Sequence, residues 1–130
     1  MEDLTVRYQN IVKSLLIRHQ SVLDILSKGQ EASARVNRAV VKSVTNCGCL
    51  AIDAHKKALS EDTSLSDLKA LLDSQLEGNL CDNCKDIIET EIGKQLFYIA
   101  ALANTLDLSL KEVIEKEEKK LSTLTIFNLT

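Results

Sequence analysis

Residues 81–106 read CDNCKDIIETEIGKQLFYIAALANTL, and in them Cys84, Ile88, Ile92, Leu96, Ile99, Ala103 and Leu106 recur at steps of three and four. That spacing lays one apolar stripe along a helix of about seven turns and suits no strand, whose side chains alternate. On the C-terminal side, Ser109-Leu110-Lys111-Glu112 has the form of a capping box and starts another helix, with Val113, Ile114 and Leu121 facing inward. On the N-terminal side, Ser64 is the expected N-cap of a short helix over 65–76, with Asp67 in its first turn and Leu68 and Leu72 turned inward.

Two further amphipathic segments precede these. Over 2–27, Leu4, Tyr8, Ile11, Leu15, Val22 and Leu26 keep helical spacing, with His19 at the edge of the stripe and Gly29 as the stop. Over 31–59, Val36, Val40, Val44, Cys47, Ala51, Ala54 and Ala58 mark a buried face. The chain contains no proline, four glycines and few aromatics, which disfavours a β-sandwich or barrel with its frequent turns. The expectation is an all-α bundle of four to five helices forming a single domain over 1–130, with the β-branched tail TLTIFNLT extended against it or against a neighbouring subunit.

Sixteen basic and 19 acidic residues leave a net charge of −3, so electrostatics make no case for nucleic acid. No segment has the length and apolarity of a membrane span, and the first residues lack the pattern of a secretory signal. A cytoplasmic, thiol-reducing setting is the resulting expectation, and apolar stripes on several helices suggest a homo-oligomer, dimer or tetramer.

Four cysteines stand in two tight pairs, Cys47-Gly48-Cys49 and Cys81-Asp82-Asn83-Cys84. Two such pairs can present four thiolates to one tetrahedral Zn²⁺. Cys81 and Cys84 share one side of a helix start, whereas Cys47 and Cys49 can join them only if the backbone yields at Gly48. Reduced core thiols and disulfides are the alternatives, as is a smaller cluster of Cys81, Cys84 and His55.

The block from Glu91-Ile-Gly-Lys94 through Asn104 and Asp107 to Val113 resembles the second metal-binding helix of the MazG-like family, within the all-α nucleoside triphosphate pyrophosphohydrolases. The resemblance implies a nucleotide ligand, Mg²⁺ held by paired carboxylates on facing helices, and water attack that releases pyrophosphate. Under it, Glu91 is the catalytic metal-holding carboxylate, and Asn46, Lys94, Asn104, Asp107 and Lys116 are the nucleotide-facing positions. Lys94 stands where the family carries Asp, and Asn46 and Cys49 stand where it carries two glutamates, so three of four expected carboxylates are missing. Mg²⁺ therefore belongs here only if a residual site survives, and whether the chain is an enzyme stays open. The family register sets residues 46–49 level with 91–94, which would leave Cys81 and Cys84 on the order of 10–15 Å along the helix from the other pair. Two functions follow as expectations: a nucleotide-binding relative with weak or no hydrolysis, or a non-catalytic bundle held by a cysteine-bound metal.

Overall fold

The computed structural model describes residues 2–16, 21–56, 58 and 60–124; the side chains of residues 69–71 are not described, and His19 and the tail beyond Leu124 lie outside the described residues. Five helices carry the chain: α1 (Leu4–Leu15), α2 (Val22–Lys42), α3 (Leu65–Leu71), α4 (Asp82–Thr105) and α5 (Leu110–Thr123). A π turn (Ser43–Cys47) prolongs α2, and two three-residue strands, β1 (Leu50–Ile52) and β2 (Leu76–Gly78), pair antiparallel. The class is all-α, as the periodicity predicts. None of the described helices is long and apolar enough to cross a membrane.

The contacts gather in two compact units: Met1–Ala34 with Ile92–Thr130, and Arg35–Glu91. The first is built on α1, the start of α2, most of α4 and α5. Its core is Val12, Ile25, Ala100, Ala101 and Leu110, with Tyr8, Leu16, Phe97 and Leu102 packed against it. Asp3 caps α1, its carboxylate accepting from the Thr5 and Val6 amides. Ser109 caps α5 by accepting from the Glu112 amide at 3.2 Å.

Between α4 and α5 the chain turns through Asp107, whose φ of 57° is left-handed. The Leu108 amide reaches back to the Ala103 carbonyl at 2.8 Å and the Asp107 amide to Asn104 at 3.2 Å, the pattern of a Schellman stop. Gln9 of α1 clamps this turn. Its side-chain amide donates to Asn104 Oδ1 at 2.9 Å and the Leu108 carbonyl at 2.7 Å, and its Oε1 accepts from the Leu110 amide at 2.8 Å. Asn104 Nδ2 returns a bond to the Gln9 carbonyl at 3.1 Å. Gln9→Ala strips partners from part-buried groups on both sides of the turn, so it should lower stability by about 2–3 kcal/mol. A denaturant titration of the variant checks this, and a change below about 0.5 kcal/mol would contradict the clamp.

Several sequence expectations are corrected. The segment over 2–27 is not one helix: α1 ends at Leu15 and α2 begins at Val22, running straight through Gly29. The segment over 31–59 is helical only as far as Cys47, after which the backbone turns at Gly48 into β1, leaving Ala51 and Ala54 exposed. On α4, Cys84, Ile88 and Ala103 are buried as expected, but Ile92, Leu96 and Ile99 are 43–47% exposed. Leu72, Val113, Ile114 and Leu121 are likewise exposed rather than inward. In the first unit small residues at 100 and 101 fill the close-packed face of α4, so apolar spacing alone overstates how much of this helix the chain covers by itself.

Candidate metal centre

The second unit, Arg35–Glu91, holds all four cysteines. Its backbone explains why they meet. At the end of the π turn the Gly48 amide bonds the Ser43 carbonyl five residues back at 2.9 Å, and Gly48 itself takes a left-handed φ of 80°. Glycine enters that region without the Cβ penalty of other residues. The chain reverses there, placing Cys47 on the helical side of the turn and Cys49 just before β1. The strands then pair Leu50 with Gly78, Ala51 with Glu77 and Ile52 with Leu76. One further bond, Asp53 amide to Gln75 carbonyl at 2.8 Å, extends the ribbon away from the cysteines. Antiparallel register thus returns the chain to the level of Cys49 at Gly78, three residues before Cys81. Gly78 is the closest point of the return: at φ 84°, a Cβ there would run into the Cys49 carbonyl.

Cys81 then stands at the N-terminus of α4. Its carbonyl accepts from the Lys85 amide at 2.9 Å, and its sulfur accepts from the Cys84 amide at 3.4 Å. Cys84 occupies the first turn of α4 and is buried. The four ligand atoms lie within 4.8 Å of one another, with Cys47 Sγ and Cys81 Sγ 3.8 Å apart. Zn–S bonds of about 2.3 Å in a tetrahedron put sulfurs about 3.8 Å apart. All four are free thiols. Cys47 is exposed, Cys49 and Cys81 are half-buried, and Cys84 is buried.

The electrostatics divide the CDNC pair. The Cys84 backbone N–H, followed by the Cys84 thiol, lowers the Cys81 thiol to about 7. The partner moves the other way: interaction with the Cys81 sulfur, then burial, pushes Cys84 up to about 12. The two behave as a thiol–thiolate pair sharing one proton, with the charge at the helix N-terminus where the backbone dipoles favour it. The thiolate on Cys81 is lost as pH falls through about 7. A soft divalent ion would replace the shared proton and draw all four sulfurs into the thiolate form.

The other candidate residues lie elsewhere. His55 does not join Cys81 and Cys84; its Nδ1 lies 3.3 Å from Asp53 Oδ1, and both side chains are more than half exposed. Asn46 lines a cavity of about 210 Å³ with Lys42, Cys47, Asn83, Cys84 and Ile87. The Asn46–Cys49 segment therefore lies beside the first turn of α4 and not level with Glu91, which is seven residues and about 10 Å further along that helix. Asn104 and Asp107 serve the turn after α4, as described above. Lys94 and Lys116 are exposed, and Glu91 is half-buried.

The two strands are what the sequence reading missed. Leu50-Ala51-Ile52 and Leu76-Glu77-Gly78 are too short to show alternation, and each sits where a helical pattern can be continued across it. The usable signal was glycine beside each cysteine pair, Gly48 inside the first and Gly78 just before the second. Compared with family models, curated proteins and solved structures, the chain matches none.

Proposed function

We propose that the chain is a non-catalytic helical protein whose second unit is held in shape by a structural zinc ion, bound by Cys47, Cys49, Cys81 and Cys84. The observation that carries this reading is the gathering of four sulfurs, and no other ligand type among the described residues, within 4.8 Å. Thiolates select soft or borderline ions such as Zn²⁺ over Mg²⁺. Four protein ligands complete a tetrahedron and leave no open position for water or substrate, the pattern of a structural site. Zinc supplies cross-linking there, and the residues supply geometry: the Gly48 reversal, the β1–β2 ribbon and the helix start at Cys81 each aim one sulfur or a pair.

The work of such a protein falls to its surfaces. Ile92, Leu96 and Ile99 line one exposed side of α4 at helical spacing, and Val113 and Ile114 are half-exposed on α5. These faces support self-association as a homo-oligomer, dimer or tetramer. Free thiols suit a thiol-reducing, cytoplasmic compartment. The nucleotide-binding reading rests on the resemblance of the Glu91–Val113 block alone. Asn104, one of its expected contacts, is already bonded in both directions to Gln9. With one of four carboxylates left, Mg²⁺-dependent release of pyrophosphate should be absent or very weak.

Elemental analysis of protein purified without chelator tests the zinc reading. The expected result is about one zinc per chain, lost when Cys81 and Cys84 are replaced by serine. Protein that carries no metal and binds none on titration with Zn²⁺ would overturn it, and iron in place of zinc would correct the ion while keeping the site.

A further inference from the structure

The four sulfurs of the cluster differ in exposure. Cys84 is buried and Cys49 half-buried, while Cys47 is exposed and has Cys81 Sγ as its neighbour across the cluster at 3.8 Å. These two belong to opposite knuckles, 34 residues apart in sequence. Cys81 and Cys84 stay together by helix geometry, while the Gly48 reversal and the β1–β2 ribbon bring Cys47 beside Cys81 from the other side of the cluster.

We propose that Cys47 and Cys81 form an oxidation site, at which hydrogen peroxide or an organic hydroperoxide closes a disulfide across the cluster and expels its metal. The metal-release half rests on the zinc reading above. In the metal-bound cluster every sulfur is a thiolate, so access decides which one meets the oxidant. The exposed Cys47 sulfur attacks the peroxide O–O bond, gaining one oxygen as a sulfenic acid while hydroxide leaves. Cys81 thiolate then attacks the Cys47 sulfur, the S–S bond forms and a second hydroxide leaves. Two thiolates have given up two electrons, and one peroxide has become two hydroxides. Zinc loses two of its four ligands. The remaining pair, Cys49 and Cys84, comes from different knuckles and cannot hold it alone. The new bond replaces the ion as the tie between the end of the π turn and the start of α4, so the β1–β2 ribbon between them keeps its closed ends.

The test uses the intact chain as purified. Metal content is measured first, and about one equivalent of hydrogen peroxide is then added with a chromophoric zinc chelator present. The expected result is release of the zinc in step with the loss of two thiols, and a disulfide that fragment-ion mass spectrometry places between Cys47 and Cys81. A disulfide within either pair, oxidation to sulfinic acid without a cross-link, or zinc retained after the thiols are consumed would overturn the inference. Absence of metal before oxidant is added counts against the zinc reading, and the mapped disulfide still decides the Cys47–Cys81 pairing in that protein.

Discussion

Removing the metal should unfold much of residues 43–84 while the Gln9–Leu110 clamp and the core around Ile25 stay protected. The reason is how little else holds the second unit. Among its described residues, Ser43, Leu50, Cys84 and Ile88 alone are buried, and two of these are polar or are ligands themselves. Burying one large aliphatic side chain contributes about 1.5–3 kcal/mol. Fixing one residue's backbone costs about 1–2 kcal/mol. Between the π turn that ends α2 and the start of α4, the unit has among its described residues a seven-residue α3 and two strands of three residues to set against that cost. A two-stranded ribbon of this length is not stable on its own. A structural zinc site contributes apparent free energies of about 10–16 kcal/mol near neutral pH, several times what either buried aliphatic side chain supplies.

The first unit has its own core of Val12, Ile25, Ala100, Ala101 and Leu110 and no cysteine. Hydrogen exchange followed by mass spectrometry separates the two outcomes. On chelation, amides of 50–53 and 75–78 should lose protection by a factor of at least about 100, with Leu108 and Leu110 little changed. Replacing Cys81 and Cys84 by serine should give the same pattern without chelator. Equal protection with and without metal would show that the cysteines are ordinary side chains of a self-sufficient fold.

How far the sequence carried follows from the length over which each signal repeats. The apolar spacing across 84–106 spans six turns and predicts α4 to within a residue at either end. Ser64 and Ser109 act as the caps they were expected to be, because a hydroxyl three residues before a free amide is a local device. The cysteine pairs were visible as possible ligands, yet their meeting was not. It depends on a reversal at Gly48 and on three pairs of strand residues, interactions between segments some 26 residues apart that leave no periodic trace. The family register set the two pairs on the order of 10–15 Å apart; with the ribbon in place all four ligand atoms lie within 4.8 Å of one another. The resemblance to a nucleotide hydrolase has no such geometric echo in the cluster, since Asn46 sits beside Asn83 and Cys84.

The two glycines that flank the cluster should respond very differently to the same added methyl group. Both have left-handed backbone, φ 80° at Gly48 and 84° at Gly78. Alanine at either site therefore pays the conformational penalty of that region, about 1–2 kcal/mol. At Gly48 nothing lies within 4 Å of the new Cβ, so the penalty ends there. At Gly78 the methyl meets the Cys49 carbonyl oxygen, with the Cys49 carbonyl carbon 3.5 Å away and Leu50 Cα 3.8 Å away. These are backbone atoms of the knuckle and its strand partner, and they cannot step aside as a flexible side chain would. Relief requires β1 to shift, and β1 carries Cys49 with it. The displacement needed to open that contact exceeds the tolerance of a Zn–S bond, about 0.2 Å. Gly78→Ala should thus lose about 3 kcal/mol or more of metal binding, at least about 100-fold in affinity. Gly48→Ala should stay within about thirtyfold of the parent. Competition titration of zinc against a chromophoric chelator measures both. Equal losses in the two variants would mean that the strain is purely conformational and that the β2 return does not set the position of Cys49.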